Sequence, residues 1–274
     1  MTALLIGLAL MNPTDDPRPS PAPAVELIAH RGESFDAPEN TLAAFNLAWE
    51  RGVPAVELDV HLTADGRLVC IHDATTRRTT GADLVVADSN LDQLRSLDAG
   101  SWKSDAFAGE SIPTLEEALD TLPDGSRCFI EVKVGPEAVP ALVRAVEASG
   151  KSPDQLPVIS FNADTLAEAK RALPEHPMYF LSGFRRDEKT GEWNTTIEAL
   201  IEQARALGAD GLDLNYRGPF DADLLGKVRD ANMGLYVWTV DDPSVARELA
   251  ALGVDGVTTN RAGWMRAQLA SPAP

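Results

Sequence analysis

The chain has 274 residues, 44% of them hydrophobic and 24% charged, which suits one sizeable globular core. Its 42 acidic against 24 basic residues leave a net charge of -18, which argues against nucleic acid or an anionic membrane as the main partner. An anionic substrate would need local positive charge, from a metal or a few Arg and Lys side chains, and the two cysteines, Cys70 and Cys128, give no sign of a disulfide framework.

Residues 1–24 open with an apolar run, Thr2–Met11, followed by a stretch rich in Pro, Asp, Ser and Ala. The run is too short to span a bilayer, so no transmembrane segment is expected. It resembles the apolar part of a signal peptide, but no basic residues precede it. These residues read as a tail outside the fold or as part of an export segment, which favours an exported location, periplasmic or secreted, over a cytoplasmic one. The folded domain is expected over residues 25–270.

Val25–Ala29 is a short apolar run, hence a buried strand, and it ends in His30, Arg31 and Gly32. Asn40 reads as the N-cap of a helix over Thr41–Arg51, with Leu42, Phe45 and Trp49 on one face and Gly52 just past its end. The strand Ala55–Val60 follows, completing a βαβ unit of parallel sheet. Only His61–Gly66 separates it from the strand Arg67–His72, too little chain for a parallel crossover. The two strands must form a hairpin, and Asp65-Gly66 signals a two-residue turn. That register sets Asp59 opposite His72 and points His72 to the face of Glu57 and Asp59. A three-residue loop would turn it away unless a bulge restored it. Residues 73–112, with one short helical stretch near Asn90–Leu97, read as a small insertion over one rim of the site.

After Pro113 the alternation resumes. Helices are expected over Thr114–Leu122 (with a capping-box start), Glu137–Ser149, Ala163–Leu173, Thr196–Leu207, Ala222–Ala231 and Pro243–Leu252. Strands fall at Arg127–Lys133, Val158–Phe161, Met178–Leu181, Gly211–Asn215, Leu235–Val240 and Val254–Thr258. With the hairpin strand set aside, eight core strands alternate with helices, the signature of an α/β fold of the (β/α)8 TIM-type barrel class. An open doubly wound sheet would want a Gly-rich phosphate loop after the first strand, where Gly32 stands alone.

Barrel active sites lie at the C-terminal ends of the strands. There stand His30 and Arg31, Glu57 and Asp59, His72, Glu131 and Lys133, Phe161 and Trp238. Residues two apart share one strand face, so Glu57 joins Asp59, and Glu131 joins Lys133. Three carboxylates converging on one mouth repel each other unless a hard divalent cation, Mg2+ or Ca2+, sits among them. Two histidines flanking a phosphodiester can serve as general base and general acid, with Arg31 and Lys133 on the phosphoryl oxygens. Glu39 reads as a residue orienting Arg31, and Phe161 and Trp238 as pocket wall that also belongs to the core. His61 and His176 read as structural. Cys70 is expected on the face of His72 and Cys128 on the opposite face, hence no disulfide between them.

As a set, AHRGES with APENT, VELDVHLTADGRLVCIHD, TTRRTTG, LDAGSW, IPTLEEAL, FIEVK, ISFN, VWTVDD and GVDGVTTNR resemble the glycerophosphodiester phosphodiesterase family of phospholipase-C-like barrels. The resemblance runs from Leu27 to Arg261. It implies catalytic roles for His30 and His72, metal ligation by Glu57, Asp59 and Glu131, and phosphate contacts from Arg31 and Lys133. Glu39 matches the glutamate of the family's PENT motif, and Trp238 an aromatic near the substrate. Asp241 departs from the Asn often found there, which puts that loop's contacts to substrate in doubt. The implied reaction is metal-dependent hydrolysis of a small-molecule glycerophosphodiester to sn-glycerol 3-phosphate and an alcohol. The alternative is attack by a substrate hydroxyl to give a cyclic phosphate. A silent binding protein on the same barrel would be expected to lack one of these residues.

Overall fold

A computed structural model describes residues 25–271. The apolar run and Pro-rich stretch behind the export expectation lie outside the described residues. Strand β1 (Glu26–His30) leads into helix α1 (Leu42–Glu50), and β2 (Ala55–Leu62) into the short β3 (Leu68–Cys70). The insertion carries α2 (Arg77–Thr80) and α3 (Leu91–Arg95). Strict alternation follows: α4 (Leu115–Asp120), β4 (Arg127–Val132), α5 (Val139–Ser149), β5 (Val158–Ser160), α6 (Ala163–Ala172), β6 (Met178–Ser182), α7 (Ile197–Leu207), β7 (Gly211–Asn215), α8 (Ala222–Asp230), β8 (Gly234–Trp238), α9 (Pro243–Leu252) and β9 (Gly256–Thr259). Eight strands are parallel, and β1 pairs with both β2 and β9, so the sheet closes into a (β/α)8 barrel. A last helix, α10 (Ala262–Ala270), was not expected from the sequence. Its Gly263 N–H donates to Glu33 at 2.5 Å, tying the loop after β1 to the chain's end.

Period-two alternation divides the buried side chains into two cores. Val56, Leu58, Cys128, Ile130, Leu212 and Leu214 point outward, under the helices. Ile28, Ala55, Phe129, Ile159, Tyr179, Leu181 and Tyr236 fill the barrel interior. At its N-terminal end Arg127 lies over the Phe129 ring, 4.7 Å from its centroid. Arg127 also donates to Glu26 at 2.6 Å and to the Tyr236 hydroxyl at 3.0 Å. The barrel is therefore plugged below and open only above.

The hairpin differs from the expected register by one residue. Observed partners are Val60 with Cys70, His61 with Val69 and Leu62 with Leu68. Thr63 and Arg67 close a three-residue loop, and Gly66 takes the left-handed conformation at φ +76°, the three-residue arrangement in which a turn is followed by a bulge. In this register Cys70 faces outward with Cys128 rather than toward the site, and both are buried free thiols. His72 escapes the inversion because β3 ends at Cys70 and the chain bends before it. The insertion packs Val86, Leu94, Ala99 and Ile112 around Val69 and Ile71 as a separate small core.

Helix α1 is capped by Thr41, whose hydroxyl accepts from the Ala44 N–H, and not by Asn40. Asn40 stands at φ +57°, which frees its amide for the site. Gly32 combines positive φ with close approach: a Cβ there would meet the Ala44 carbonyl carbon at 2.6 Å. A Cβ on Gly66 would meet nothing within 4 Å. Gly66→Ala is therefore expected to cost about 1 kcal/mol, from backbone conformation alone. Gly32→Ala should cost about 2–4 kcal/mol, because overpacking adds to that strain. Denaturant midpoints of the two variants check this order, and equal losses would contradict it.

Candidate active site

The mouth of the barrel holds a charged half and an apolar half. In the charged half, Glu57, Asp59 and Glu131 are all buried and offer oxygens within 4.8 Å of one another. Glu57 accepts from the Arg31 backbone N–H at 2.9 Å, while its Oε1 is enclosed and has no hydrogen-bond partner among the described residues. Asp59 is the best served. Asn40 donates to it at 2.8 Å and takes its N–H at 3.1 Å; Arg31 Nε lies at 3.1 Å and Lys133 Nζ at 3.4 Å. Lys133 also donates to Glu131 at 2.8 Å.

These environments split the three acids. Burial and the Asp59 and Glu131 charges push Glu57 far above the usual carboxylate range. Burial and the Asp59 charge also raise Glu131. Burial pushes Asp59 upward too, but Arg31 and Lys133 outweigh it and hold it below the ordinary value. Crowding and burial thus favour the protonated forms of Glu57 and Glu131.

The two histidines stand on different supports. His30 Nδ1 is 2.7 Å from the Asn260 side-chain oxygen, and the Asn260 amide donates to Asp241 at 2.6 Å. Asp241 also takes the Asn260 N–H and the Thr259 hydroxyl. That chain makes the Asn260 oxygen the acceptor, so Nδ1 carries the proton and Nε2 keeps its lone pair. Burial, then the Arg31 charge, lowers the His30 pKa to about 4. His72 Nδ1 instead meets the Asp73 carboxylate at 2.7 Å. Asp73 is held down to about 2, first by the Arg78 guanidinium, which donates to it at 2.7 Å. The backbone oxygen of His72 sits 3.0 Å from His61 Nε2.

Arg78 joins the two sides. Its other nitrogens donate to both oxygens of Glu39, which also accepts from Arg31 at 2.8 Å. Helix α2 of the insertion thus links the loop carrying His72 to the arginine after β1. The apolar half consists of Ile159, Leu181, Phe161 and Trp238, with Thr239, Thr258 and one carboxyl, Asp213. Phe161 and Trp238 meet edge to face at 5.6 Å. The cavity measures about 120 Å³.

The sequence profile of the glycerophosphoryl diester phosphodiesterase family matches residues 30–263. The chain belongs to this family. A glycerophosphodiester phosphodiesterase from Caldanaerobacter subterraneus subsp. tengcongensis is 33% identical, over 85% of this chain and 93% of its own. One from Bacillus subtilis is 29% identical over 85% and 82%. Among solved structures, an Oleispira antarctica phosphodiesterase in complex with the product sn-glycerol-3-phosphate is 31% identical, with TM-score 0.80 over 90% of this chain and 97% of that one.

Within the phosphodiesterase barrel, His30, Arg31, Glu57, His72, Glu131, Lys133, Phe161 and Trp238 all line the cavity. Asp59 lies beneath Arg31 and Lys133, and Glu39 behind Arg31. Phe161 departs from its expected core role: it is 51% exposed, at the rim. Sequence reasoning missed Asn40 as the amide under Asp59, Arg78 as the bridge, and Asn260 with Asp241 behind His30. The APENT, TTRRTTG and TTNR stretches contain the first three, but nothing local assigns their partners.

Buried against Arg31, the His30 ring is expected to stay neutral through pH 6 and to titrate near pH 4. Nitrogen-15 imidazole NMR reads this directly in metal-free protein. A His30 midpoint above 6 would contradict the environment described.

Proposed function

We propose that this phosphodiesterase hydrolyses glycerophosphodiesters to sn-glycerol 3-phosphate and an alcohol, with His30 and His72 as its acid–base pair and one divalent cation, Mg2+ or Ca2+, at Glu57, Asp59 and Glu131. The observation that carries this reading is that Glu57, Glu131 and both histidines line one cavity, with Asp59 completing the acidic cluster beneath it. The product complex of the Oleispira antarctica relative supports the substrate class.

The donor set fits a hard cation. Three carboxylates share one space, and the orphaned Oε1 of Glu57 is an oxygen ligand without a partner. When bound, the ion would act as a Lewis acid toward the phosphoryl oxygens and neutralise the acidic cluster. Arg31 and Lys133 line the same cavity and can hold the phosphoryl group by hydrogen bonds, bidentate in the case of Arg31.

The histidine supports divide the roles. His30, neutral with Nε2 unprotonated, suits the base that takes a proton from the attacking water. His72, whose ring is held through Nδ1 by the Asp73 carboxylate at 2.7 Å, is the second histidine on the cavity and takes the part of the acid. As the water oxygen bonds to phosphorus, the bond from phosphorus to the alcohol oxygen breaks. His72 delivers its proton to that oxygen, and His30 holds the proton taken from water. Asn260 and Asp241 fix the base, while Arg78, Asp73 and His61 fix the acid.

His30→Ala and His72→Ala should each lower kcat by roughly 10²–10⁴-fold while calorimetric metal affinity persists. Near-normal turnover in either variant would remove the acid–base assignment. EDTA should abolish hydrolysis of glycerophosphocholine, with recovery on adding Mg2+ or Ca2+. Glu57→Gln should weaken metal binding at least about tenfold. Because burial and the neighbouring acids raise the proton affinity of Glu57 and Glu131, binding should release protons, and affinity should fall as pH drops below about 7. Calorimetry in buffers of different ionisation enthalpy measures both effects; pH-independent binding without proton release would count against this ligand set.

A further inference from the structure

Asp213 has no part in the chemistry above, yet its carboxyl is placed with care. It lies on β7 between Leu212 and Leu214, which point outward under the helices. Its register partners are Leu181 on β6 and Tyr236 on β8, both in the barrel interior. Asp213 therefore occupies an inward position whose register partners on both neighbouring strands belong to the apolar interior. It is 3% exposed, and its Oδ1 is enclosed with no hydrogen-bond partner among the described residues. An unpaired buried carboxyl is costly in either protonation state. Among the described residues no cation pairs with it: Arg31 and Lys133 are engaged with Glu39, Asp59 and Glu131.

The carboxyl nevertheless lines the catalytic cavity, set among Ile159, Leu181 and Trp238 on the apolar side. With the phosphoryl group on the charged side, one arm of the diester must rest on this opposite wall. The two arms differ in chemistry. The alcohol that leaves varies among glycerophosphodiesters, whereas the glycerol retained in the product is common to all and carries two hydroxyls. A wall fixed in the barrel, apolar but for the Asp213 carboxyl and the Thr239 and Thr258 side chains, matches the constant arm.

We propose that Asp213 is the glycerol-reading residue of the site, accepting a hydrogen bond from a hydroxyl of the retained glycerol 3-phosphate half. This rests on the glycerophosphodiesterase reading given above. It makes Asp213 a specificity residue, and the partner missing from its Oδ1 is the substrate's hydroxyl.

The test compares wild type, Asp213→Leu and Asp213→Asn on glycerophosphocholine and on bis(p-nitrophenyl) phosphate, which has no glycerol. Asp213→Leu should lower the ratio of kcat/KM for the first substrate to that for the second by roughly 10- to 100-fold. Asp213→Asn, which keeps an acceptor of the same shape, should recover part of that ratio. Calorimetry with sn-glycerol 3-phosphate and with inorganic phosphate, in the presence of Mg2+, reads the contact without turnover: Asp213→Leu should weaken the first selectively. An unchanged ratio, or equal losses on both substrates and both ligands, would overturn the assignment and leave Asp213 a structural residue. Absence of wild-type turnover on glycerophosphocholine would overturn the underlying reading instead, and selective weakening of glycerol 3-phosphate binding would still support the contact.

Discussion

Three acids crowded into one barrel mouth set the terms for everything around them. Two bare carboxylates about 4 Å apart repel by about 4 kcal/mol at an effective dielectric near 20. The chain answers this repulsion with specific backbone and side-chain choices. Arg31 takes positive φ, which brings its N–H onto Glu57 while its guanidinium reaches Asp59 and Glu39. Asn40 also takes positive φ and places its amide on Asp59. Both unusual conformations fall within ten residues of the end of β1, and Gly32 between them packs directly on α1. The AHRG and PENT segments are thus one device for holding a repulsive cluster together.

The second organising feature is the route by which the insertion joins the chemistry. Its small core is continuous with the hairpin through Val69 and Ile71. Its helix α2 supplies Arg78, which grips Glu39 and Asp73 at once. A chain of ion pairs and hydrogen bonds therefore runs from Arg31 through Glu39, Arg78 and Asp73 to His72. The ends of that chain face one cavity from two different loops, so a shift in the insertion would move both together.

The barrel was legible in the sequence because its signal is redundant: buried strands and amphipathic helices alternate eight times, and each strand ends where its polar residues begin. The positions of Glu57, Asp59, Glu131 and Lys133 followed from strand period alone. The hairpin was not legible to one residue. Asp65-Gly66 serves a two-residue turn and a three-residue loop with Gly in the left-handed position equally well. His72 still reaches the cavity, through an early strand end and the hold of His61 on its carbonyl, neither of which is a pattern feature. Asn260 supports His30 across 230 residues of chain, a pairing that exists only once the barrel closes. Asn40 looked like a helix cap because Asn is good at capping; tertiary demand from Asp59 took it instead. The helix α10 lay beyond the last strand, with a weakly amphipathic sequence whose role is to clasp Glu33.

The plug of Arg127, Phe129, Tyr179 and Tyr236 has a kinetic meaning. A barrel sealed at its base is a cul-de-sac, so whatever enters by the mouth must leave by it. In the proposed pose the glycerol arm rests against β7, on the wall facing the charged half. In the proposed reaction both the alcohol and glycerol 3-phosphate would leave by that mouth, and glycerol 3-phosphate, sharing Arg31 and Lys133 with the next substrate's phosphoryl group, would compete with it for the same doorway.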